Sequence, residues 1–267
     1  DALPIFNLLF AYVHTAHEER IGQYLSKRFP SLPVSLSNRV SPIWREYERG
    51  TTCIADASIK RLMQRFVARL SGDLKAEGVS APLTLMKSNG GHADAASAAD
   101  VPVQIFLSGL AGGVIAGRRF ARDHLSGKGV TLDMGGTSAD VGLIIDGDFG
   151  STTEYEIEWG VPVSALFIDY TTIGAGGGSI AHVDGGGFLR VGPKSAGAEP
   201  GPACYGRGGT EPTITDANIV LGRLDPDFFL GGRMKLKPEL AQAAVAALAK
   251  ELKLGVEETA VAVLDTA

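Results

Sequence analysis

An α/β fold is what this sequence predicts, on three observations. Apolar stretches of period two alternate along the chain with stretches whose apolar residues recur every three to four positions. Glycine is abundant, 35 of 267 residues against roughly 7% in an ordinary protein. It clusters between those stretches, where backbone must approach something closely. Apolar residues at 45% and charged residues at 21% supply a core and argue against disorder.

Each element follows from its local pattern. Residues 3–13 predict a strand, and 17–29 a helix with Ile21, Tyr24 and Leu25 on one face. "FPSLPVSLS" connects to another strand, its prolines marking the edges. Ile54, Ile59, Leu62, Met63, Phe66, Val67, Leu70 and Leu74 keep helical spacing over 52–77. "PLTLMKSNGG" predicts a buried strand that empties into a loop, and "VPVQIFLSGLAGGVIAGRRFARDH" a short strand, a tight turn and a small-residue helix able to lie close to its neighbours. "VTLDMGGTSADVGLI" predicts two buried strands joined by a turn, and "STTEYEIEWGVPV" a third. Residues 174–209 predict a long glycine-rich loop of the kind that is usually functional. "TDANIVLGRL", "KPELAQAAVAALAKEL" and "VEETAVAVLDTA" predict helices. The chain opens without methionine and stops inside a helical pattern, so a fragment of a longer polypeptide is expected.

The bulk numbers exclude several classes. A net charge of −5 gives no basic footprint for nucleic acid or an anionic membrane. No apolar run approaches the ~18 residues of a membrane span. Cys53 and Cys204 form neither a disulfide framework nor a metal spacing, which favours the cytoplasm.

Chemistry concentrates in two glycine-rich stretches. In "LDMGGTSAD", Asp133 ends a strand, Gly135 and Gly136 make the turn, Thr137 and Ser138 begin the return, and Asp140 follows. Amides of a glycine turn can point at phosphate oxygens, hydroxyls add donors, and an adjacent carboxylate can hold Mg²⁺. A tight hairpin in which Asp133 and Thr137 cap their own backbone is the other reading. The stretch is neither a P-loop nor a Rossmann fingerprint. "TIGAGGGSIAHVDGGG" is the second. Gly174, Gly176, Gly177, Gly178 and Ser179 suit backbone pressed against a nucleotide, or else a flexible surface loop, although both flanks look buried. His182 lies just beyond and is a candidate to meet substrate. Ser88 and Asn89, at a strand end in "MKSNGG", stand where α/β folds place ligand groups. His14 and His17 lack a second pair for zinc. Cys204 has no basic partner nearby to make it a nucleophile, and Asp216 after "TIT" reads as a helix cap.

Several motifs in order carry a resemblance: "SLSNRVSPIWREYERGTT", "LMKSNGG", "FLSGLAGGV", "LDMGGTSADVGL", "TIGAGGGSIAHVD", "VGPKSAGAEPGPACYGRGGTEPTITDANIVLGRL" and "FFLGGRM". Together they resemble the hydantoinase/oxoprolinase family, which includes ATP-dependent N-methylhydantoinase, 5-oxoprolinase and a subunit of acetone-type carboxylases. The resemblance implies RNase H-like lobes of the actin/sugar-kinase/Hsp70 type, here incomplete. Residues 1–35 would end the N-terminal region and 36–267 form the core domain. It implies ATP and Mg²⁺ as cofactors, with phosphoryl transfer to an amide or carbonyl oxygen. Asp133 would be the catalytic residue and metal anchor, and Gly135, Gly136, Thr137, Ser138, Asp140, Gly174, Gly176, Gly177, Gly178 and Ser179 would contact the nucleotide. Ser88, Asn89 and His182 would meet a cyclic amide or ketone, and the helix from about Ala111 would connect the lobes. A hydantoinase B-type partner subunit and an oligomer are expected. An acetone-type carboxylase subunit and a non-catalytic nucleotide-binding module are the alternatives, and this stretch alone is expected to be inactive. Asp56, Leu110 and Ala139 stand where the family usually carries Asn, Pro and Thr.

Overall fold

The computed structural model describes residues 3–267. The chain divides into two compact units, Asp1–Thr131 with Gly142–Asp169, and Leu132–Val141 with Tyr170–Ala267. This is a division by packing. The boundary at 35/36 is a statement about family regions and is a separate matter.

In the first unit, β1 (Ile5–Phe6) pairs in parallel with β2 (Ser35–Leu36), and α1 (Ala16–Arg28) crosses between them. Only two residues of the predicted 3–13 strand are extended, because turn hydrogen bonds, such as His14 N to Phe10 O at 2.8 Å, fold the chain back after Leu8. Helix α1 carries Glu18 and Glu19 in its first turn and Lys27 and Arg28 in its last, matching the helix dipole. Glu18 is fully buried and accepts from Leu8 N, Ser37 Oγ and Asn38 N at 2.8–2.9 Å. A single turn, α2 (Ser37–Val40), leads to α3 (Glu46–Ala76). Helix α3 starts six residues earlier than the predicted 52, since Glu46 and Glu48 in the first turn favour the N-terminus despite Gly50.

Arg49, Thr52, Cys53, Asp56 and Lys60 form the buried stripe of α3. Burial pushes the Cys53 thiol up to about 12, helped by Asp56 and Glu18. Asp56 is fully buried and accepts from Ser35 Oγ at 2.6 Å, Lys60 Nζ at 3.2 Å and Val103 N at 3.3 Å. Burial raises its carboxyl above the ordinary range, against the pull of Lys60. An Asp56→Asn change therefore leaves Lys60 buried with a weakened partner. Denaturant unfolding should show a loss of about 2 kcal/mol, recovered when Lys60→Met is added. A second change that deepens the loss would contradict this pairing.

Glu19 behaves in the opposite sense. Hydrogen bonds from Arg39 and then Asn38 lower its carboxyl from 4.5 to about 2. Its folded value lies below its unfolded one, so the stabilisation is present above about pH 4.5 and is lost as pH falls through about 2. Because the pair is partly solvated, its contribution stays within about 1 kcal/mol. Melting curves from pH 6 to pH 2 should fall slightly less steeply for Glu19→Gln than for the parent.

The antiparallel pair β3 (Thr84–Met86) and β4 (His92–Asp94) comes next. Asp94 then caps α4 (Ala95–Asp100), accepting from Ala96 N and Ser97 N. Strand β3 is largely exposed, not buried as predicted. "VPVQI" is a 3₁₀ turn at Pro102–Ile105 instead of a strand, because Pro102 fixes a helical φ at its first position. Helix α5 (Ser108–His124) does lie close to its neighbour. A Cβ on Gly117 would come within 2.1 Å of Thr131 Cγ2. Leu110 sits in the first turn of α5, where proline and leucine both fit.

Strands β5 (Gly129–Met134) and β6 (Ala139–Ile145) form the hairpin, with β7 (Asp148–Phe149) on β6. β5 is the edge of its sheet, and Val130 and Leu132 are about two-thirds exposed, which corrects the expectation of a buried strand pair. The predicted third strand is a full antiparallel pair, β8 (Ser151–Glu158) and β9 (Val161–Ile168). β9 packs on α3 with Ser164 N donating to Thr52 Oγ1 at 2.8 Å. Val40, Cys53, Val103, Val163 and Phe167 make the core between them.

In the second unit, β10 (Tyr170–Ile173) pairs with β6. The predicted 174–209 loop contains another antiparallel pair, β11 (Ser179–Val183) and β12 (Leu189–Ser195), with Ala181 opposite Val191. Short apolar alternation in "SIAHV" and "LRVGPKS" made these strands, and surrounding glycines hid it. Helices α6 (Ile214–Val220), α7 (Pro238–Leu252) and α8 (Val256–Thr266) close the unit over Ala181, Ile214, Ala217, Val245, Leu248, Ala260 and Val263. No helix among the described residues is long and apolar enough to cross a membrane.

Candidate functional site

The two glycine-rich stretches meet within the second unit. The hairpin turn closes with Gly135 N donating to Ser138 O at 2.8 Å. Behind it, Gly177 N donates to Gly135 O at 2.9 Å and Gly178 N to Gly136 O at 2.6 Å. Gly176 passes so close that a Cβ there would lie 2.5 Å from Thr137 C and 2.6 Å from the amide nitrogens of Thr137 and Ser138. Only glycine allows this approach of backbone to backbone.

The loop is itself fixed from the other side. Ser179 is fully buried, its Oγ accepting from Gly176 N at 2.9 Å and donating to Gly174 O at 3.3 Å. Thr215 donates from both its amide and its hydroxyl to Gly177 O, each at 2.8 Å. Asp216 anchors α6 in a capping box with Thr213, and its carboxylate also accepts from Ala203 N at 3.2 Å and Cys204 N at 2.8 Å. The expectation of a helix cap holds. Cys204 is fully buried, and burial followed by Asp216 drives its thiol far above the ordinary range. It is no nucleophile.

What the tip leaves free is the informative part. The N–H groups of Gly136, Thr137 and Ser138 donate to no acceptor among the described residues, and neither do the two hydroxyls. Asp133 is exposed, and its side chain makes no hydrogen bond or ion pair among them. A self-capped hairpin would have Asp133 or Thr137 bonded to the turn amides, and neither is. Consecutive free amides beside free hydroxyls are the donor set of an anion-binding turn. Asp140 is different, since it accepts from Thr172 Oγ1 at 2.6 Å.

No three His, Cys, Asp or Glu side chains among the described residues could hold a metal ion. One free carboxylate beside a turn with free amides and hydroxyls suits Mg²⁺, which takes a few protein oxygens and completes its shell with phosphate and water. His182 is exposed on β11 opposite Arg190, and no described contact joins it to residues 135–138. Ser88 and Asn89 belong to the first unit. Ser88 is buried, with its hydroxyl donating to Gln104 O at 3.0 Å and accepting from Leu107 N at 3.2 Å, so it braces the backbone and is not free to meet a ligand. Asn89 keeps its amide nitrogen free while its Oδ1 accepts from Gly91 N at 2.9 Å. Sequence reasoning missed Thr215, and also Ser195, whose Oγ donates to Gly136 O at 3.5 Å. The Thr-x-x-Asp capping pattern at 213–216 was the one signal for Thr215.

Comparison with known proteins follows the same outline. A family model described as Hydantoinase/oxoprolinase matches residues 49–267. Caprolactamase subunit alpha of Pseudomonas jessenii is 38% identical over 93% of this chain and 36% of its own length. The acetophenone carboxylase gamma subunit of Aromatoleum aromaticum is 36% identical over 90% of this chain and 34% of its own. The nucleotide-free structure of an acetone carboxylase, the enzyme of ATP-dependent acetone carboxylation, superposes with a TM-score of 0.81 at 28% identity, covering 98% of this chain and 37% of that one. The chain thus spans about a third of the length of each of these three proteins.

Proposed function

Because the chain belongs to the hydantoinase/oxoprolinase family, we propose that it forms the ATP-binding core of an enzyme that phosphorylates the oxygen of a cyclic amide and so opens the ring to hydrolysis. The free amides and hydroxyls at 136–138 carry this reading. They supply what a phosphoryl group needs, namely positioning and neutralisation of charge. Gly135, Gly136, Thr137 and Ser138 cradle phosphate, while Gly174, Gly176, Gly177, Gly178 and Ser179 hold the turn in shape from behind. Asp133 would hold Mg²⁺, which when bound neutralises charge on the phosphate oxygens. Asp140 supports the turn through Thr172. His182 is the side chain of the second unit left for the substrate, and Asn89, taken by itself, is the one left in the first.

The likeness to acetone carboxylase and caprolactamase supports a mixed helix–strand architecture, in which we assign RNase H-like lobes with α5 as the connecting helix. Residues 1–35 and 36–267 would be the family regions. We place the enzyme in the cytoplasm, in an oligomer with a hydantoinase B-type subunit, since the relatives are themselves named as subunits.

The acetophenone carboxylase gamma subunit, at 36% identity beside 38% for caprolactamase, supports a second reading in which the activated oxygen belongs to a ketone. Phosphate release from ATP, measured with hydantoin, 5-oxoproline and acetone in parallel, separates the two. Stimulation by a cyclic amide supports hydrolysis, and stimulation by acetone with bicarbonate supports carboxylation. An enzyme that binds no ATP sinks both.

A further inference from the structure

The motif "SNRVSPIWREYERG" takes no part in the phosphate cradle, yet it walls a cavity of about 510 Å³ wholly inside the first unit. That volume is ordinary for a small-molecule site. Val40, Pro42, Ile43, Ala165 and Leu166 give it an apolar lining. The wall is held in place before any ligand arrives. Ser41 Oγ donates to Ser164 O at 2.8 Å, Arg49 Nη1 to Ile43 O at 2.7 Å, and Ile43 N to Ser41 O at 2.8 Å. Arg49 is fully buried, so this wall hangs from the core of the unit and not from a surface loop.

The charges lining the cavity are unequal. Arg45 is engaged with Glu154 at 3.0 Å and Glu48 at 3.4 Å, and it stacks 5.4 Å from the Trp44 ring centroid. Lys87 is half-buried and forms no ion pair or side-chain hydrogen bond among the described residues. Gln104 and Asn89 line the same space with amide groups that carry no charge. Along the lining Arg45 and Glu154 pair, so Lys87 is the charge left without a partner there, beside two neutral donors and an apolar wall.

We infer that this cavity binds a small apolar monocarboxylate, its carboxylate on Lys87 with Asn89 or Gln104 and its hydrocarbon body against Ile43, Ala165 and Leu166. A phosphate ester would bring more charge than one lysine balances. A neutral hydrocarbon would leave the Lys87 ammonium partly desolvated without return. Both reactions named above leave a carboxylate as product, which makes such a ligand available, but the binding itself requires neither of them.

Calorimetry on the intact chain with hexanoate and its neutral isostere hexanamide tests the inference. Hexanoate should bind at least about tenfold more tightly than hexanamide, and Lys87→Met should remove that advantage while leaving hexanamide unchanged. The Lys87 side chain has no partner among the described residues, so the variant should fold, and an unchanged melting temperature checks this. Ala165→Phe, which fills the cavity, should weaken both ligands. Absence of hexanoate binding, equal affinity for the two ligands, or wild-type hexanoate affinity in Lys87→Met would overturn it. ATP turnover is not part of the readout, so failure here leaves the proposed function untouched.

Discussion

Asp133→Ala is expected to abolish ATP hydrolysis while leaving the fold intact. The side chain is exposed and has no partner among the described residues, so its removal should change stability by no more than about 0.5 kcal/mol. Its proposed role is to hold Mg²⁺ beside the phosphates. Losing a group that stabilises developing charge costs about a hundred- to a thousandfold in rate. Asp133→Asn keeps the shape and a hydrogen-bonding oxygen but removes the charge, and it should resemble the alanine variant more than the parent. Asp140→Asn should be milder, because Asp140 already accepts from Thr172. Phosphate release and melting temperature, measured on the same preparations, give the comparison. Parental turnover in Asp133→Ala would remove this residue from the site.

Gly176→Ala should disrupt both stability and nucleotide binding. The new methyl carbon would lie 2.5–2.6 Å from backbone atoms of Thr137 and Ser138, and neither side is a flexible side chain that can step aside. The turn and the loop must part, breaking the bonds from Gly177 and Gly178 to the turn carbonyls. Overpacking of this kind costs about 3 kcal/mol. Gly136→Ala is the matched control, since nothing lies within 4 Å of a Cβ there. Its melting temperature should stay close to the parent's. Equal behaviour of the two variants in thermal unfolding would mean that the loop does not brace the turn.

The packing of the two glycine-rich stretches against one another was legible in the sequence, for a physical reason. A turn that offers amides to an anion must exclude side chains, and a second backbone that braces it must exclude them too. Both requirements read as clustered glycine, at 135–136 and 174–178. The employment of individual side chains was less legible. Ser88 looks like a ligand group until the structure shows its hydroxyl bridging Gln104 and Leu107. Asp140 looks like Asp133 until Thr172 arrives from another strand. Such commitments depend on partners 16 to 32 residues away, beyond any local pattern. Among the elements, the long helices α3 and α7 were plain, although Ile54, Leu62 and Phe66 of α3 are exposed and its buried stripe is largely polar. Short ones failed where a proline or a glycine cluster competed with the apolar pattern, as at 102–105 and within 179–195.

The cradle presents chiefly peptide groups, and this has a consequence for tolerated variation. At Thr137 and Ser138 a replacement removes one hydroxyl and keeps the amide, so most polar substitutions there should retain partial function in a mutational scan. At Gly176 and Gly178, which lie behind the turn, the space beside the backbone is already occupied, and nearly every substitution should be lethal to the site. Selection would then weigh most heavily on residues that never touch the ligand and have no side chain to lose.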